Sequence, residues 1–347
     1  MRRPLAIALS LILASASLTA AAQAPGTTTQ LPRSVRPTHY DVAVVPHAQA
    51  LGFDGKVTID IDVLQPTDRI TLNAEDMTFS SVTLAPARGK SAFAAPKVSV
   101  DADAQTATFT FAQALPVGSY RLSMAYTGKI GTQANGLFAL DYATPGGGSG
   151  RALYTQFENS DARRFIPSWD EPNAKAAFDL QATVPSTQMA VSNMPVKSSV
   201  PAGAGLTRVT FATSPKMSTY LLFFGLGDFD RATLQSDGTE VGVVARKGFA
   251  KQAQFALTSA RDILHEYNGY FATPYPLPKL DNIAAPGSSQ FFGAMENWGA
   301  IFTFENTLLF DPSISTVGDK QRIFTVAAHE MAHQWFGDLV TMQWWDD

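Results

Sequence analysis

Asp319-Lys320-Gln321-Arg322-Ile323-Phe324-Thr325-Val326-Ala327-Ala328-His329-Glu330-Met331-Ala332-His333-Gln334-Trp335-Phe336-Gly337 is the stretch on which the reading of the whole chain turns. Asp319 is a good helix N-cap and Gly337 a good stop, so the spacing predicts one helix running to about Phe336. Residues four apart on a helix are offset by about 40° and one turn. His329 and His333 can therefore reach one point, as two ligands of a tetrahedral zinc ion must. Glu330 sits beside His329 and three before His333, where a carboxylate serves as general base without being a ligand. Ala327, Ala328 and Ala332 are small, and Val326 and Phe336 apolar, which suits a packed helix.

The blander reading of this pattern is chance. Five histidines in 347 residues would give such a spacing in roughly one random sequence in a few hundred. His265-Glu266 is an internal control, because Gly269 occupies the place of a second His. That pair reads as solvated. The metzincin variant is excluded, since it needs Gly and His three and six residues after the second His, where Phe336 and Leu339 stand.

Composition narrows the chemistry. Cysteine is absent, so any metal is held by His, Asp or Glu. A net charge of -4 without clustered Lys or Arg gives no case for a nucleic-acid partner. At the start, Arg2 and Arg3 precede a short apolar run from Leu5 to Leu13, and Ala20-Ala21-Ala22 offers a cleavage site. Residues 1–22 are therefore expected to be a signal peptide, its apolar run shorter than the ~20 residues that span a bilayer. No later segment is long and apolar enough to cross a membrane. The mature protein is expected outside the cytoplasm, periplasmic or secreted.

Upstream of the helix, from about residue 31 to 246, the sequence reads as strands. Tyr40, Val42 and Val44 alternate with other residues, as do Val57, Ile59, Ile61 and Val63. Ala107, Phe109 and Phe111 continue the pattern, followed by Tyr120, Leu122, Met124 and Tyr126. Such alternation puts one face on a core and the other in solvent, as in antiparallel sheets. Gly146 to Gly150 reads as a loop tip. Near residue 249 the period changes: Ala253, Ala256, Leu257, Ala260, Ile263, Leu264 and Tyr267 mark a helix of about 20 residues. It must stop at the prolines 274, 276 and 278. A β-rich module over 31–246 and a helix-containing module over 247–347 are the expected organisation.

Gly293-Ala294-Met295-Glu296-Asn297-Trp298-Gly299, upstream of His329-Glu330-Met331-Ala332-His333, resembles the zinc aminopeptidases of the aminopeptidase N family. The similarity extends through Thr155-Gln156-Phe157-Glu158, Asp161-Ala162-Arg163, Trp169-Asp170-Glu171-Pro172, Ser192-Asn193-Met194-Pro195, Met217-Ser218-Thr219-Tyr220-Leu221 and Tyr275-Pro276-Leu277-Pro278. Ser168 stands where many relatives have Cys. The resemblance implies a β-rich, saddle-like N-terminal domain followed by the start of a thermolysin-like α/β catalytic domain. It implies one zinc ion held by His329 and His333, with Glu330 as the base. Glu296, helped by Gln156, would bind the free α-amine of a peptide substrate, and Gly293 and Ala294 would line its backbone.

The electrostatics of that assignment are coherent. An N-terminal amine, with a pKa near 8, is mostly cationic at neutral pH. A buried carboxylate facing it is worth roughly 1.5–3 kcal/mol as a charge-assisted hydrogen bond. An internal peptide has no such charge to offer, so the site selects exopeptidase action. The resemblance also places a third zinc ligand, a glutamate, at position 352, beyond Asp347. The chain is thus expected to be a fragment with little zinc and negligible turnover, unless Asp346 or Asp347 folds back to substitute. A related metallo-endopeptidase, which would accept acetylated peptides, and a non-catalytic peptide-binding β module are the alternatives.

Overall fold

Nearly every alternating run becomes a strand with its apolar side buried. The computed structural model describes residues 30–89, 92–289 and 292–347; the expected signal peptide, residues 1–22, lies outside them. The chain lays down β1 (Val35–His47), β2 (Gly52–Val63), β3 (Thr67–Asn73), β4 (Thr78–Pro86), β5 (Lys97–Asp101), β6 (Thr106–Leu115) and β7 (Gly118–Lys129). Then come β8 (Gly136–Ala143), β9 (Ser149–Gln156), β10 (Ala177–Pro185), β11 (Met189–Ser192), β12 (Val196–Pro201), β13 (Leu206–Phe211) and β14 (Phe224–Gly227). They form a seven-stranded sheet ordered β12-β13-β10-β1-β2-β7-β4, a four-stranded sheet β11-β14-β9-β8 and a three-stranded sheet β3-β6-β5. Pairing is antiparallel apart from β1 with β10, which is parallel. Tyr40, Val42, Ile59, Ile61, Phe109 and Leu122 all lie in the core.

A departure from the expected organisation follows. β15 (Phe229–Ser236) and β16 (Thr239–Arg246) form a hairpin that joins the second module, because β16 pairs in parallel with β17 (Lys279–Ala285). With β18 (Ala294–Met295) and β19 (Ala300–Phe304) they make a five-stranded sheet ordered β15-β16-β17-β19-β18. Sheet membership therefore changes before residue 229, not at 246. The reason is local: a hairpin has the same alternation whichever sheet it joins, and only its long-range partner decides.

Two helices cover this sheet. α1 (Gln254–Tyr270) buries Ala256, Leu257, Ala260, Ile263 and Leu264, the stripe its spacing predicts. α2 (Val317–His333) starts earlier than expected. Thr316, not Asp319, is the N-cap, and Asp319 is the third helical residue of a capping box: its backbone N–H donates to Thr316 Oγ1 and its carboxylate accepts from the Thr316 backbone. Both residues are good caps, and the reciprocal pair outweighs either alone. At the other end Phe336, expected to pack, is 63% exposed. Gly337 with φ +133° turns the chain there.

The layers meet through aromatic rings. Phe302 of β19 touches Tyr154 of β9 edge-on at 5.5 Å and Phe138 of β8 at 6.1 Å. Tyr154 and Gln156 share one side of β9. Docking Tyr154 on the five-stranded sheet thus carries Gln156 to the same interface.

Candidate active site

His329 and His333 lie one turn apart near the C-terminal end of α2. Their Nε2 atoms are 3.2 Å apart. Nδ1 of His333 is 2.9 Å from the carbonyl oxygen of Phe336. A carbonyl only accepts, so Nδ1 carries the proton and Nε2 presents a lone pair. Two nitrogens each about 2.0–2.1 Å from one tetrahedral zinc would stand about 3.3 Å apart. The pair fits two ligands of such an ion without rearrangement, and the Phe336 carbonyl is the kind of outer partner that orients a ligating histidine. Among the described residues no third His, Asp or Glu joins them, so Asp346 and Asp347 stand apart from the pair.

Beside the imidazoles is a field of carboxylates. Glu330 is buried, and burial first, then the charges of Glu296 and Glu158, pushes its carboxyl up to about 8. Glu158 is also raised, by partial burial and then by Glu296, against the lowering influence of His333. Asp338 lies deeper still, held well above the carboxylate range by burial and then by Glu296. Groups that raise one another in this way share one low-dielectric space, and each would be relieved by a bound cation. Both a metal ion and an alkylammonium meet that description.

The sequence-derived residues come from different layers. Glu296 is 7% exposed on the loop after β18, and Gln156 is 5% exposed at the end of β9. The Gln156 side-chain oxygen is buried without a protein partner, as befits a group aimed at a ligand donor. Gly293 is exposed and Ala294 half-buried at β18, the edge strand whose inner side pairs with β19. Among the described residues no strand pairs with its outer side, the side to which an extended chain could add. A cleft of about 960 Å³ opens here, with Gln156, Glu158, Asn159, Phe292 and Phe304 among its walls.

Sequence reasoning assigned no role to Glu158. The clue was its closeness in sequence: it follows Gln156 by two residues, and in the turn after β9 both line the same cleft, while Phe157 between them is fully buried. His265, the control, takes the opposite course. It is on the surface of α1, hydrogen-bonded to Asp237 at 3.1 Å.

Comparison with known proteins agrees with this architecture. Residues 36–221 match the Peptidase M1 N-terminal domain and residues 255–347 match the Peptidase family M1 domain. Aminopeptidase N of Acetobacter pasteurianus is 44% identical over 318 residues, covering 92% of this chain and 88% of that protein. Aminopeptidase M1 of Arabidopsis thaliana is 41% identical over 319 residues, covering 91% of this chain and 36% of that protein. Endoplasmic reticulum aminopeptidase 1 of Rattus norvegicus is 36% identical over 329 residues, with 93% and 35% covered. The chain belongs to the M1 peptidase family. It spans about a third of the length of the plant and animal relatives named here.

Proposed function

We propose that this chain carries the amine-recognising and metal-binding part of a zinc aminopeptidase that removes N-terminal residues from peptides. The observation that carries the reading is that Glu296, on the loop after β18, and Glu158, two residues past Gln156 of β9, both act on the carboxyl of Glu330 on the histidine helix. His329 and His333 would hold the ion. Zinc bound there would polarise a scissile carbonyl and acidify water. Glu330 takes the proton from the attacking water and returns it to the departing amine. Glu296 accepts hydrogen bonds from the substrate ammonium, the Gln156 oxygen takes another, and Glu158 adds a second negative charge at the mouth. The peptide backbone adds to the outer edge of β18 at Gly293 and Ala294, a mode that leaves side-chain identity to the cleft.

With two imidazoles as its protein donors, the site within residues 31–347 holds zinc weakly, and turnover by these residues alone is expected to be negligible. Export to the periplasm or medium rests on residues 1–22 and is part of the same proposal. The test is calorimetric binding of L-leucinamide and of N-acetyl-L-leucinamide, with zinc content measured in parallel by mass spectrometry. The free amine should bind at least about tenfold more tightly, and Glu296→Gln should remove most of that preference. Equal affinities would reject the aminopeptidase reading in favour of an endopeptidase-like site. Stoichiometric zinc with brisk hydrolysis of aminoacyl p-nitroanilides would reject the weak-metal part.

A further inference from the structure

Gln334 follows His333 directly, and its side chain is fully buried. Its Nε2 donates to the backbone carbonyl of Glu296 at 2.8 Å and to that of Glu330 at 3.5 Å. Its Oε1 accepts from the backbone N–H of Gly299 at 3.0 Å and from the Tyr275 hydroxyl at 3.4 Å. All four capacities of the amide are used. Its orientation is dictated too, since the Glu296 carbonyl can only accept and the Gly299 N–H can only donate. One side chain thus grips both ends of the Glu296–Gly299 loop from the helix that carries the histidines.

Two further side chains hold the same loop by its backbone, beside the Asp281 backbone N–H, which donates to the Gly299 carbonyl at 3.1 Å. Asn193 donates to the Trp298 carbonyl at 2.9 Å, and the Lys279 ammonium donates to the Gly299 carbonyl at 2.7 Å. These come from the β-rich layer and from β17. Among the described residues, Gln334 alone ties the loop to the end of α2 by a side chain that bonds at both loop ends. The distance from the two imidazoles to the Glu296 carboxylate is the distance over which an aminopeptidase measures one residue, and it runs through this amide.

We infer that Gln334 is a positioning residue that locks the amine-recognising loop to the histidine helix and so fixes the register at which a free N-terminus is recognised. The inference rests on the aminopeptidase reading for its consequence, but the clamp itself is testable separately. Gln334→Met keeps the length and removes all four hydrogen bonds. In this variant, amide hydrogen exchange over residues 296–299 should speed at least about tenfold. The preference for L-leucinamide over N-acetyl-L-leucinamide should fall at least about tenfold, with the zinc content and the exchange of α2 unchanged. Tyr275→Phe, which leaves the grip on both loop ends, should keep the preference. Unchanged loop exchange and unchanged preference in Gln334→Met would overturn the inference.

Should Gln334→Met fail to fold, native-state exchange of the unmodified chain decides. A Gly299 amide protected like those of α2 supports the clamp, whereas one exchanging as fast as the Gly146–Gly148 turn while α2 stays protected refutes it. A wild-type chain that does not prefer the free amine removes the aminopeptidase reading, and the exchange data then decide the clamp alone.

Discussion

His333 donates from Nδ1 to the carbonyl oxygen of Phe336 at 2.9 Å, and Gly337 is what lets that carbonyl face the ring. Gly337 has φ +133°, and a Cβ there would stand 3.3 Å from His333 Nδ1. Gly337→Ala is therefore expected to turn the carbonyl away and weaken zinc binding by roughly ten- to a hundredfold. His333→Ala should lower it further, because a ligand itself is lost. Competition of bound zinc against a chelator measures both, and equal zinc affinity in Gly337→Ala and wild type would show that the carbonyl does not orient the ring.

Asn193 satisfies three buried backbone groups: the carbonyls of Leu221 and Trp298 and the N–H of Phe223. Replacing it by Ala strands all three, each at a cost of about 1–3 kcal/mol. Asn193→Ala should lose about 3 kcal/mol or more of unfolding free energy in urea. A loss below about 1 kcal/mol would mean that water takes over the bonds.

Gly299 closes the same loop with φ +79°. A Cβ there would lie 2.6 Å from the Asn193 carbonyl oxygen and 2.9 Å from Leu277 Cδ1. Neither backbone nor packed leucine can yield cheaply, so Gly299→Ala should destabilise the fold by about 2 kcal/mol or more. Gly269 has open space around it. It lies within α1, and Gly269→Ala should be neutral or mildly stabilising in the same assay.

His265 titrates above its ordinary value of 6.5, chiefly because Asp237 accepts a hydrogen bond from its ring, with the Asp237 charge adding to that. A folded-state value above the unfolded one favours the protonated native protein. The stabilisation is fully present below about 6.5 and fades as pH rises through the higher folded value. Asp237→Asn should therefore lower the melting temperature more at about pH 5.5 than at about pH 8.5. A difference independent of pH would show that the pair contributes nothing through protonation.

Much of this molecule is written locally. The alternation of Val57, Ile59, Ile61 and Val63 yields a half-buried strand because successive side chains of any extended chain point to opposite faces. The spacing of His329 and His333 yields convergent imidazoles because a helix repeats its direction after four residues. Glu296 and Gln156 were legible only through resemblance, since a carboxylate in one loop and an amide at a strand end carry no mark of a shared role.

Tertiary structure decided the rest. Whether the β15–β16 hairpin joins the first sheet or the last depends on its pairing with β17, which no pattern within 229–246 encodes. Glu158 enters the carboxylate field, and Gln334 grips the Glu296 loop, across separations of many residues. Periodicity fixes which way a side chain points from its own backbone. What it then meets is set by the packing of distant elements, through hydrogen bonds and shared low-dielectric space that no short window of residues contains.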